Sequence, residues 1–127
     1  MRISDSDMNR LAAITALYEC LDGYIGRVHF SNYEGGDDSP NETAATYLRM
    51  VGEVSAMLSS EFKDATRGKV MWGLVGMMSF TMQDTGRWDE AELLDIADND
   101  MFRLSRLCDE WLRTGKAKVA RRFETAV

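Results

Sequence analysis

Two cysteines, one histidine and 21 acidic side chains are the residues of this chain that could do chemistry. Cys20 and His29 lie nine positions apart. A catalytic pair needs hydrogen-bond reach and a third group to orient the base. Neither the spacing nor the flanking residues supplies that group. A single histidine excludes HExxH and every other paired-imidazole metal site, and Cys20 and Cys108, 88 positions apart, have no zinc spacing. Asp98-Asn99-Asp100 resembles the start of a calcium loop but lacks the glycine and trailing glutamate such a loop requires. Gly68-Lys69 has no glycine-rich loop before it, and neither GxxxxGK[ST] nor GxGxxG occurs, so no phosphate cradle is encoded. Glu90/Glu92 and Asp109/Glu110 are one or two apart, a spacing that points side chains away from each other on a helix. The expectation is a protein without catalytic residues, metal or cofactor.

One acidic stretch stands above this background. Between Asp84 and Asp100 there are seven acids (Asp84, Asp89, Glu90, Glu92, Asp95, Asp98, Asp100) and one base, Arg87. Glu92, Asp95 and Asp98 are three apart and predict an outward row whose members lie about 4.5 Å apart along a helix axis. Alternate members of such a row match the spacing of phosphates on a nucleic-acid strand. Glu34, Asp37, Asp38 and Glu42, with Tyr33 beside them, form a second acidic cluster around a Gly-Gly-Asp-Asp loop. Glu34, Asp37, Asp38, Asp89, Glu92, Asp95, Asp98 and Tyr33 are therefore the candidate partner-binding residues. The plainer reading is a solvated helix that is acidic for solubility.

The elements that must carry these residues read as helices. A lone proline, few Val and Ile, and many Ala, Leu, Met and Glu favour an all-α chain. Met8, Leu11, Ile14, Leu17, Tyr18, Leu21 and Ile25 recur at helical spacing after caps at Ser4 or Ser6. Gly23 and Gly26 offer a stop, and Ile25, Val28 and Phe30 a continuation. Ser39-Pro40 with Glu42 is a capping box with proline at the first helical position. Its helix carries the stripe Ala44, Tyr47, Leu48, Val51, Val54, Ser55, Leu58, Phe62. Lys69 to Gln83 (KVMWGLVGMMSFTMQ) is apolar on all sides, which predicts a helix over about 66–84 sheathed by the others, with Gly68, Gly73 and Gly76 admitting close neighbours. Its 13 apolar-rich residues, Val70–Met82, fall short of the roughly 20 that cross a bilayer. Leu93, Ala97, Met101, Leu104, Cys108 and Trp111 then predict one long helix to Arg113, or one kinked at Asn99, closed by Gly115. The architecture expected is a compact bundle of four to five helices in a single domain, 1–127, ending in a basic tail at 116–127.

Lys116, Lys118, Arg121 and Arg122 against Glu124 give that tail +3, so the other 115 residues carry −9 of the net −6. That sign opposes direct binding to nucleic acid. The thiols read as free and buried, and the polar start as lacking a signal peptide, which together place the chain in the cytoplasm, off the membrane. The function that fits is binding to another protein with a basic surface. One form of it is an inhibitor that covers a nucleic-acid-binding groove, the general profile of small acidic helical proteins, anti-CRISPRs among them, that phages and mobile elements direct against bacterial defences. Two other readings stand beside it: a self-associating, homodimeric regulatory module built on the Met-rich helix, and a small ligand-binding helical protein.

Overall fold

The computed structural model describes residues 1–30, 40–83 and 90–118. Helix α1 spans Asp5–Phe30, α2 Pro40–Ala56, α3 Ser60–Ala65, α4 Trp72–Thr81, α5 Glu90–Asp95 and α6 Phe102–Thr114. A π-helical turn, Ile96–Met101, joins α5 to α6 without a break, so residues 90–114 form one long helix. The all-α reading holds. Helix α1 takes the continuation past Gly23 and Gly26, and α2 starts on the proline that the capping pattern selects. Helix α2 lies between α1 and α4, while α1 also packs on α6 and on the π-helical turn.

The π-helical turn has a cause in the sequence. The core positions Leu93, Ala97 and Met101 follow one another at steps of four, which overruns the 3.6-residue turn of an α-helix. A wider turn brings Ala97 and Met101 back onto the buried side. From there Leu104, Cys108 and Trp111 resume α spacing, and all six predicted stripe positions are buried. Gly115 closes the helix in the left-handed conformation, φ 68°, with its N–H donating to Trp111 O at 2.7 Å.

Two polar anchors lock the helix ends. The buried Asp7 carboxylate accepts from Ser59 N at 2.9 Å and from Ser59 Oγ at 2.6 Å. Ser59 Oγ in turn accepts from Phe62 N, which caps α3, and Ser4 Oγ accepts from Asp7 N, which caps α1. One carboxylate thus ties the starts of two helices together. Thr66, also buried, accepts the Trp72 indole N–H at 2.8 Å and donates to Phe62 O at 2.8 Å. This fixes a three-ring cluster in which Phe62 meets Trp111 edge-on at 5.1 Å and Trp72 at 5.9 Å. At the chain ends Met1 N donates to Ala117 O, Ala117 N to Met1 O, and Ile3 N to Gly115 O, around an antiparallel Arg2–Lys116 bridge.

The segment after α2 departs from expectation. A short α3 occupies Ser60–Ala65, and the apolar helix begins only at Trp72, because Thr66–Met71 form the turns that the Thr66 anchor organises. Close helix contact also falls elsewhere. A Cβ at Gly68, Gly73 or Gly76 would meet open space, whereas one at Gly52 in α2 would lie 2.5 Å from Ser79 N and 3.0 Å from Val75 O. Gly52 is the position where the α2 and α4 backbones touch. Gly52→Ala should therefore destabilise the fold by about 1–3 kcal/mol despite alanine's helix propensity. Gly76→Ala, with room around it, should stabilise by up to about 1 kcal/mol. Paired denaturant titrations read both signs. Thr66→Val, which strands the Trp72 N–H, should cost about 1–3 kcal/mol in the same assay.

Candidate protein-binding face

Helix α4 has no polar side to give to water. Trp72, Met78 and Met82 are buried, with Val75 and Ser79 half-buried between them; Val75, Met78 and Ser79 meet Gly52 of α2, and Trp72 packs against Phe62 and Trp111. The opposite side carries Met71, Leu74, Met77 and Phe80, whose exposures are 69, 59, 53 and 73 per cent. The sheath expected around this helix is thus one-sided: α4 lies at the edge of the bundle with an apolar row facing out. Gly73 on the same side lowers the profile of that row. Contiguous exposed apolar side chains of this kind mark contact surfaces in soluble proteins. Two of them are methionines, whose unbranched thioethers adapt to irregular partners.

Beside α4 a groove of about 390 Å³ separates it from the long helix. One wall is Met71, Leu74, Val75 and Met78; the other is Ile96, Met101, Leu104 and Leu107. Three charges stand at this groove, Lys69 on the α4 side and Asp100 and Arg103 on the long helix. All three are exposed, and none is held in an ion pair among the described residues. The ion pairs present there, Arg49–Glu53 at 3.8 Å and Asp64–Arg67 at 3.0 Å, are surface contacts within single segments and stabilise little.

Of the candidate acids, Glu92, Asp95 and Asp98 are exposed on the long helix. Tyr33, Glu34, Asp37, Asp38 and Asp89 lie outside the described residues. The wider π-helical turn begins just after Asp95 and rotates less per residue, so Asp98 does not sit where an unbroken α-helix would place it. Its charge acts on Tyr18 of α1: the phenol pKa is raised by burial first, then by Asp22 and Asp98. Glu92 and Asp95 keep α spacing, and Asp95 accepts from Asn99 Nδ2 at 2.6 Å. The row is therefore a pair followed by an offset member. Among the described residues no group of three or more His, Cys, Asp or Glu side chains converges as a metal site would require, and no helix is long and apolar enough to cross a membrane.

The two thiols divide. Cys108 is buried, as expected, whereas Cys20 lies on the exposed side of α1, because the core stripe passes through Ile14 and Leu21 and leaves it out. The apolar row of α4 was the feature hardest to assign from sequence. A helix that is apolar all round carries no pattern to say which side faces out. Comparison with known families, with curated proteins and with solved structures finds no match.

Burial, helped by the Asp109 charge, pushes the Cys108 thiol up to about 12. At neutral pH the native protein should take up one equivalent of a thiol reagent, at Cys20, with Cys108 reacting only after unfolding; mass spectrometry of the labelled peptides checks this. Because the raised folded pKa favours the protonated thiol, its stabilising contribution is complete below the free-thiol range, near about 8.5. It is lost as pH climbs from there towards 12.

Proposed function

We propose that this protein acts by binding another protein rather than by catalysis, with the outer face of α4 as the apolar part of the contact. The observation that carries the reading is the row Met71, Leu74, Met77 and Phe80, more than half exposed on a helix with no polar face. Leaving such a row open to water forgoes burial worth about 25 cal/mol per Å², so a surface that covers it gains directly.

Charge supplies the second component. Outside the basic tail the chain carries −9, and Glu92 and Asp95 stand exposed together on the long helix. A partner with a basic surface is therefore favoured, its approach accelerated and selected by the field rather than held by it. An inhibitor that covers a nucleic-acid-binding groove on its target is the specific form of this proposal, resting on analogy of charge and size.

Affinity purification from the native host should recover one stoichiometric partner. Reversing Glu92, Asp95 and Asp98 to lysine should slow association about tenfold or more at low salt and weaken the salt dependence, while leaving dissociation nearly unchanged. Leu74→Glu should instead speed dissociation. Surface plasmon resonance separates the two effects, and a partner indifferent to both sets of changes would remove the proposal.

A further inference from the structure

The groove beside α4 has a charge pattern that discriminates between occupants. Asp100 stands on its long-helix wall three residues from Arg103, and Lys69 stands across from them. A partner surface of a single sign would meet a like charge here as well as an opposite one. A second copy of this surface, turned about a two-fold axis, would not. Two-fold contacts set each residue against its counterpart in reverse order, so a pair of opposite charges three residues apart can find its complement twice.

We infer that the α4 face and its groove form the contact between two copies of this chain, with Asp100 of each protomer paired to Arg103 of its partner. The inference rests on the reading of α4 as a protein-binding face and names its occupant. The ends of α4 agree with it. No acidic side chain stands in its first turn and no basic one in its last, so neither end of its dipole is met by a charge of the helix itself. An antiparallel copy of α4 carries its Lys69 to that last turn.

Size points the same way. A ten-residue helix is about 15 Å long, and a stable interface buries about 800 Å² per partner. The α4 row alone is too small, so both groove walls must take part, which is what brings Asp100 and Arg103 into the contact. Glu92, Asp95 and Asp98 do not line the groove. They lie outside the proposed contact, so a dimer would present the acidic surface twice.

Sedimentation velocity on the full chain up to high micromolar concentration tests the inference. The wild type should be dimeric. Leu74→Glu should weaken the dimer at least about 30-fold, the loss expected at a buried interface anchor. Asp100→Arg and Arg103→Asp should each weaken it, and the double exchange should restore it, since a reversed pair is again self-complementary. All three positions are exposed, so unchanged circular dichroism and melting temperature would exclude misfolding as the cause. A monomeric wild type, a dimer indifferent to Leu74→Glu, or a double exchange that fails to restore association would each overturn the inference. A monomer whose partner capture is lost in Leu74→Glu would overturn only the second copy as occupant. A monomer whose partner capture is also unaffected would remove the protein-binding reading of α4 as well.

Discussion

The contact between Gly52 and the backbone of α4 sets the rest of the arrangement. Helix α2 is the middle of the bundle, packed on α1 on one side and on α4 on the other. With no side chain at Gly52, α4 settles until its main chain at Val75 and Ser79 meets the α2 surface. So close an approach buries Met78 against α2, while Trp72 is buried between Phe62 and Trp111. The opposite side of α4 keeps the open apolar row, with the groove beside it.

The polar anchors show how a mostly apolar fold gains a single arrangement. Hydrophobic burial is non-directional and would tolerate α3 and α4 in several poses. The Asp7–Ser59 hydrogen bonds and the Thr66–Trp72 hydrogen bond tolerate far fewer, because a buried donor or acceptor left unpaired is penalised. Both sit where a chain direction changes. They replace a long connection with a few fixed atoms, and the Phe62, Trp72 and Trp111 rings stack around the second of them.

Where the sequence was legible, the reason was amphipathic contrast. Leu93 to Trp111 alternate with charges at helical spacing, so the buried face was readable down to each residue, while the alternative of a kink at Asn99 did not foresee the π-helical turn found there. The Pro40 start and the Gly115 stop were legible because helix ends are set by local chemistry. The apolar stretch at 70–82 was not, since a segment greasy on every side is silent about orientation. The glycine roles were misplaced for a related reason. Three glycines in the greasy segment drew attention, while the one that mattered, Gly52, sat inside an ordinary stripe, and contact between two backbones is a property of pairs of elements. The turn at Thr66 was equally hidden, because it depends on an indole six residues away in sequence. For the candidate site, the acidic pair Glu92 and Asp95 could be read directly, but the groove that sets Lys69 across from Asp100 and Arg103 required the packing of α4 to be known.

The joining of Met1–Ile3 to Gly115–Ala117 bears on the order in which the molecule can be completed. Hydrogen bonds between residues 116 positions apart close only once residue 117 has been made, so Met1–Ile3 wait for Gly115–Ala117. Helix α1 can form early, as helices with local contacts do, but its leading residues stay unsecured until the end of α6 arrives. A truncation after Trp111 would leave the α1 start as well as the α6 end unfastened.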